Sequence, residues 1–268
     1  MTRVHPSAVV DKTVELGPDV IVGPNCVIEA GTIVGSGTIF DASVYIGPNV
    51  TIGKGNRFFP FSVAGTRPQV LAIKENDPVG KLVIGDDNIF REQSTLHPSM
   101  HNDGVTKIGN ENFLMIGVHI GHDCVLEDKL VLSNYVQVSG HCHIETGVWL
   151  SGGVLIHQFI TIGKWCYAAG MAGLNRDVTP FMIVSGHYPP EVRGVNKRGL
   201  VRAGLNEEQQ GKIMDAYKRL YRNGQSLHEV ASDMATEQGH DENVRAMIES
   251  IINSSKHRFG RYLETFRD

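Results

Sequence analysis

Near residue 1 there is no positively charged stretch leading into an apolar one, and nowhere is there a long uncharged apolar run. Neither export nor a membrane span is therefore expected. None of the four cysteines (Cys26, Cys124, Cys142, Cys166) stands at CxxC spacing. That argues against a redox pair and for a reduced, cytoplasmic protein. Charge bias is also missing: 25 Lys+Arg face 29 Asp+Glu, which leaves no general pull toward nucleic acid or a membrane surface. With 41% hydrophobic and 20% charged residues among 268, the composition is that of a globular protein of one large domain or two modest ones. What the chain has in excess is glycine, 30 residues, most of them before residue 205.

The glycines belong to a repeat of six. Stepping by six from Val10 gives Leu16, Val22, Ile28, Val34, Phe40, Ile46, Ile52, Phe58 and Ala64, and a glycine often follows, as at Gly17, Gly23, Gly35, Gly47, Gly53 and Gly65. A short second run takes Ile84, Phe90 and Leu96. A third takes twelve apolar residues from Ile108 to Leu174, which at this composition has a chance frequency of roughly one in 40,000. A period of six fits neither a helix nor an alternating strand. It fits a short strand plus a turn, with three hexads closing one triangular coil of a parallel β-helix. The residue two before each apolar position is usually small (Ala8, Val14, Val20, Cys26, Thr32, Thr38, Val44), as a narrow prism demands, and the following glycine is read as easing the turn. The chain at this point resembles the hexapeptide-repeat acyltransferases, and a left-handed coil is what that resemblance implies, against the usual crossover rule.

The repeat breaks at residues 66–83 and 98–107, which are read as loop insertions leaving one face, and it stops near 190. Residues 1–190 are thus expected to form the β-helix and 191–268 a small α-helical domain. In "LNEEQQGKIMDAYKRLYRNG", Asn206 reads as an N-cap and Gly224 as a stop. "DENVRAMIESIINSS" carries Val244, Met247, Ile248, Ile251 and Ile252 at helical spacing. The fold class expected is mainly β, followed by helices whose apolar stripes serve packing.

Stacked coils put residues 18 apart on neighbouring levels, about 4.8 Å from each other. From His122 that step reaches Gly140 and then Gln158, with His141 and His157 alongside. His119 is close in the same hexad, and His97 precedes the second insertion. One histidine on such a surface is ordinarily a solvated polar residue. Several in one strip with Asp123 and Gln158, bordered by two loops, form a candidate site; His101 and His143 are read as bystanders. Two chemistries could use the strip. Some hexapeptide-repeat proteins resemble zinc carbonic anhydrases (the γ type), with histidines five apart in a coil, whereas His119 and His122 are three apart, and "HIGHDC" is not HExxH. The preferred reading is acid–base: His122 as base, Asp123 fixing its tautomer and stabilising its charged form. No metal and no cofactor are expected. Gly140 leaves room for substrate to approach a backbone N–H able to hold an oxyanion.

"HIGHDC", "SGHCHI", "IHQF", "RDVTPFMIVSGH", "GVNKRGLVRAG" and "AYKRLYRNG" together are similar to the UDP-N-acetylglucosamine acyltransferases of lipid A biosynthesis, over essentially the whole chain. That resemblance implies a homotrimer with sites between subunits, a 3-hydroxyacyl donor on acyl carrier protein, and a nucleotide amino sugar as acceptor. It implies His122 as general base, Asp123 as its partner and Gly140 as the oxyanion donor, with Gln69, His97, His119, His141, His157 and Gln158 lining the site. Gly170 matches the position that limits acyl length; Asn196, Arg198 and Arg202 fall near the nucleotide. The family's usual aspartate, lysine, glutamate and second arginine are Val70, Ala72, Arg198 and Ala203 here, so the positions that read the acceptor have drifted while the histidine strip is intact, either as ordinary variation or with a changed acceptor. A zinc hydrase and a non-catalytic trimeric scaffold are the alternatives. A basic run (Arg193, Lys197, Arg198, Arg202, Lys212, Lys218, Arg219, Arg222) is a candidate dock for an acidic carrier.

Overall fold

The computed structural model describes residues 1–267. Mostly two-residue strands build three sheets of eleven, nine and eight strands, and up to Leu174 each sheet collects every third strand in parallel. Partners are 18 residues apart in register, as in His119↔Gln137 and Val125↔His143. Three faces thus meet at three corners: a first face carrying Phe58 and Trp149, a second carrying His119 and Gln137, and a third carrying Val125 and His143. The interior holds the apolar repeat, fully buried from Val22 onward. Phe40, Phe58 and Phe90 stack along it with ring centroids 5.1 and 4.6 Å apart. The small residues two positions earlier point inward too. All four cysteines occupy such positions, buried and free, each thiol directed at a backbone carbonyl.

Apart from Gly65, whose φ is 85°, the glycines named after interior residues have a different role from the one expected. Left-handed φ falls two residues later, at Asp19, Asn25, Ser43, Asn49 and their equivalents, while Gly17, Gly23, Gly35, Gly47 and Gly53 have ordinary φ. Those glycines allow close stacking: a Cβ on Gly47 would lie 2.1 Å from Gly65 O, and one on Gly23 2.4 Å from Asp41 O. Coil-to-coil contact requires them, not the turn.

The insertions are shorter than the breaks in the pattern. Ile52 pairs with Ile84 and Ile84 with Ile108, steps of 32 and 24, so 14 and 6 residues are added to the regular 18. Lys81–Ile84 and Val105–Ile108 are already strands, because their alternate side chains (Leu82, Ile84, Thr106, Ile108) turn inward. The boundary near 190 also shifts. Glu191–Val195 pairs antiparallel with Met182–Ser185, so the sheet takes five more residues before the first helix.

Four helices follow: α1 (Lys197–Arg202), α2 (Glu207–Tyr221), α3 (Leu227–Ala235) and α4 (Glu242–Ser255). Asn206 caps α2 in a reciprocal capping box with Gln209, and the Asp241 carboxylate accepts from Asn243 and Val244 N–H at the start of α4. Val244, Met247, Ile248 and Ile251 are buried, the packing surface the spacing predicts. No described helix is long and apolar enough to cross a membrane.

Candidate active site

His122, Asp123 and His141 occupy the corner between the second and third faces, where the chain turns after the strand His119–Ile120 and again one coil on. Asp123 and His141 take left-handed φ of 59° and 61°, the conformation most corners of this coil adopt. His122 Nδ1 stands 2.7 Å from Asp123 Oδ2, both side chains being mostly buried. Burial alone would raise the Asp123 pKa. Hydrogen bonds from His122, Ser99 and the Met100 N–H, with His141 nearby, instead hold it at about 2. An ionised carboxylate only accepts, so Nδ1 carries the proton that faces it, and in the neutral imidazole the lone pair is then on Nε2. The second insertion completes this arrangement. Ser99 Oγ donates to Asp123 Oδ1, Met100 N–H to Oδ2 at 3.1 Å, and Asp123 N–H donates to Thr106 Oγ1 at 2.7 Å.

Gly140 lies one coil beyond, in contact with the His122 ring. A Cβ there would come within 2.6 Å of Cε1 and 2.7 Å of Nε2, so any larger residue would displace the imidazole. The Gly140 N–H is buried and meets no acceptor among the described residues. A lone pair, a free N–H and an anionic orienter within one corner suit deprotonation of a hydroxyl and stabilisation of an oxyanion.

A cavity of about 700 Å³ opens at this corner. Of the expected residues it brings together Gln69, His122, His141 and Gln158. His97 and His119 sit behind the wall, with ring centroids 5.2 Å apart. Burial, then the neighbouring His97 and His122, lowers the His119 pKa to about 4, and burial lowers His97 as well, so both stay neutral. His97 Nδ1 meets the Thr66 and Arg67 carbonyls at 3.0 Å each while its buried Nε2 has no partner among the described residues. His157 lies beside the cavity, Nδ1 3.1 Å from Gln158 O. His143 pairs with Glu127 at 2.9 Å on the third face, away from this chemistry.

His101, read as a bystander, lines the cavity, its ring 6.0 Å from that of His141. With Asp123 and His141 it brings ligand atoms within 4.8 Å, a set able to hold a metal ion, although Asp123 is already engaged by His122, Ser99 and Met100. The repeat also gave no sign of Ser99, Met100 and Thr106, which lie in an irregular insertion, or of Phe266 and Arg267; Phe159 stands one step of 18 beyond His141 and was passed over. For Ser99 and Thr106 the available signal was their place in the loop next to the strip.

The remaining expected residues lie on other corners of the same chain. Gly170 is between the first and second faces, where a Cβ would find only Gly152 O at 3.5 Å. Asn196, Arg198 and Arg202 are at the corner between the third and first faces. The Asn196 side chain donates to Trp165 O and caps α1 through Gly199 N–H, so both of its ends serve the fold. Arg202 donates to Gly147 O at 3.2 Å and lies 5.0 Å from the Trp149 ring. Arg198 is exposed. In the basic run, Arg193, Lys212, Lys218 and Arg219 pair with Glu191, Glu208, Asp215 and Glu237, which leaves Lys197, Arg198, Arg202 and Arg222 without an ion-pair partner among the described residues, Arg202 and Arg222 being held instead by Gly147 O and the Tyr217 hydroxyl.

The family described as "Udp N-acetylglucosamine O-acyltransferase; Domain 2" matches residues 177–259. Proteins named acyl-(acyl carrier protein)–UDP-N-acetylglucosamine O-acyltransferase are similar at 40% identity from Burkholderia lata and 38% from Halorhodospira halophila, each over 96% of this chain and 98% of the relative. A relative of the same name from Gloeothece citriformis is 39% identical over 68% of this chain, and the match spans 65% of that protein. The crystal structure of Francisella novicida UDP-N-acetylglucosamine acyltransferase superposes with a TM-score of 0.88 at 36% identity, covering 96% of this chain and 93% of that one.

Proposed function

The chain belongs to the acyl-(acyl carrier protein)–UDP-N-acetylglucosamine O-acyltransferases, and from that premise we propose how its own residues carry the reaction. The donor is a 3-hydroxyacyl thioester on acyl carrier protein. The acceptor is the 3-hydroxyl of UDP-N-acetylglucosamine or a closely related nucleotide amino sugar, and the product opens lipid A synthesis in the cytoplasm. Membership of this family leaves the zinc hydrase and the scaffold without support.

The observation that carries the reading is the His122–Asp123 pair beside the free Gly140 N–H. His122 Nε2 takes the proton of the acceptor hydroxyl as its oxygen attacks the thioester carbonyl. The Gly140 N–H holds the oxyanion, and Asp123 stabilises the imidazolium. Collapse breaks the carbon–sulfur bond, and His122 returns the proton to the leaving thiolate of the carrier arm. General-base action of this kind contributes on the order of 10²–10⁴-fold.

The distribution of the other residues supports a homotrimer. Gly170, Asn196, Arg198 and Arg202 cannot reach the His122 corner of their own chain, because the prism lies between them. Threefold packing of prisms would set a neighbour's corners against it, adding Gly170 along the acyl groove and Arg198 and Arg202 at the nucleotide. Leu71, fully exposed at the tip of the first insertion, is suited to contact such a neighbour. Lys197 and Arg198 offer free positive charge for an acidic carrier.

Incubating the protein with 3-hydroxyacyl carrier protein and, separately, the hydroxyl and amine forms of UDP-N-acetylglucosamine tests this reading. Mass spectrometry should find an ester on the hydroxyl form. No acylated product from either form would overturn the assignment of the acceptor.

A further inference from the structure

One part of the cavity wall belongs to no coil. After α4 the chain forms a 3-10 turn at Tyr262–Phe266, and Phe266 and Arg267 face the same cavity as His122 and Gln158. This segment is fastened in place. The Asp177 carboxylate accepts from the Tyr262 and Thr161 N–H groups at 2.8 Å each, and the Asp177 N–H donates to Gly260 O at 2.7 Å. Arg261, 7% exposed, donates to Asn175 O at 3.1 Å and pairs with Glu264.

The fastening delivers Arg267 to the reacting corner. Its guanidinium carbon lies 5.6 Å from the centroid of Phe159. Phe159 stacks on His141 at 4.5 Å with 6° between planes, and the His141 ring stands 5.0 Å from that of His122. Burial is the main cause that lowers the His141 pKa, and Arg267 adds to it, which fits a cation directed at the same space. Among the described residues lining the cavity, Arg267 is the only permanent cation; the facing loop offers Gln69, Val70, Leu71 and Ala72. Glu264 Oε1 lies 3.4 Å from Arg267 while Oε2 of the same carboxylate holds Arg261, and the Arg267 side chain remains about half exposed.

We propose that Arg267 is a phosphate-binding residue of this site, gripping either the diphosphate of the nucleotide sugar or the phosphodiester of the carrier arm. A planar guanidinium suits paired phosphate oxygens, and both substrates of the reaction proposed above bring phosphate to this corner. The inference rests on that reading for the identity of its ligand.

Calorimetry with UDP and with UMP, together with steady-state kinetics, tests it on the full chain. If the diphosphate is the ligand, wild type binds UDP more tightly than UMP, and Arg267→Ala weakens UDP by roughly tenfold with UMP little changed. Arg267→Lys keeps part of the affinity, and Ala72→Lys added to Arg267→Ala restores some of it from the opposite wall. If the carrier arm is the ligand, Arg267→Ala instead raises KM for the acyl carrier donor by a similar factor, with kcat unchanged. Unaltered UDP affinity together with unaltered KM for both substrates would overturn the proposal. A wild-type protein that transfers no acyl group but shows Arg267-dependent UDP binding would sink the reaction and leave the phosphate site standing.

Discussion

His122 and His119 differ by three positions and have opposite tasks. His122 presents a lone pair to the cavity because Asp123, held ionised at about 2, fixes the proton on Nδ1. His119 is enclosed behind it and stays neutral down to about pH 4. That difference gives a stability signature. A folded pKa below the unfolded value near 6.5 means that the unfolded chain binds the proton first. The neutral form's contribution is therefore complete above about pH 6.5 and is lost as pH falls toward 4. His97 and His141, also lowered, act in the same direction. Asp177, raised by burial to about 6, acts oppositely, losing stability as pH rises from about 4 to 6, so the comparison must be made between wild type and a variant. Urea unfolding at pH 7 and pH 5 should show a smaller loss for His119→Gln than for wild type. Equal losses would mean that His119 titrates in the fold as it does in solvent.

The strand-and-corner unit explains why so much of this molecule is readable in its sequence. A narrow prism admits one large apolar residue per strand and one small residue two positions earlier, so composition repeats wherever the coil does. The corner strip of His122, Gly140 and Gln158 could be found by counting 18 for the same reason. Counting fails across the insertions, where the steps become 32 and 24. Ser99, Met100 and Thr106, which position Asp123, were consequently invisible, as was Arg267, 145 residues beyond His122 with no repeat to place it. The role of the glycines after the interior residues was legible as a pattern but misread in cause, since close stacking produces the same spacing as a turn. Gly47→Ala should accordingly destabilise by about 3 kcal/mol or more, because the backbone carbonyl at 2.1 Å cannot yield. Gly211→Ala, in the exposed middle of α2 with nothing within 4 Å of its Cβ, should stabilise by about 0.5–1 kcal/mol. Chemical denaturation of the two variants checks both signs.

Across the whole molecule, the residues assigned to the proposed reaction are distributed over all three corners of the prism, with His122 at one of them. On that proposal a single chain holds the proton-transfer groups, along with the cavity wall formed by the first insertion and the segment after α4. In the proposed trimer, the acyl groove and the nucleotide contacts would be completed by neighbouring copies. The left-handed sense of the coil followed from resemblance rather than from the period of six, because the spacing of apolar residues carries no hand. The account stands on the His122–Asp123 pair as the chemical centre. Its most direct test is the rate of acyl transfer from 3-hydroxyacyl carrier protein to UDP-N-acetylglucosamine by His122→Ala, with oligomeric mass and unfolding midpoint measured on the same sample. A fall of roughly 10²–10⁴-fold at unchanged mass and near-unchanged stability is the predicted result; turnover close to that of wild type would contradict it.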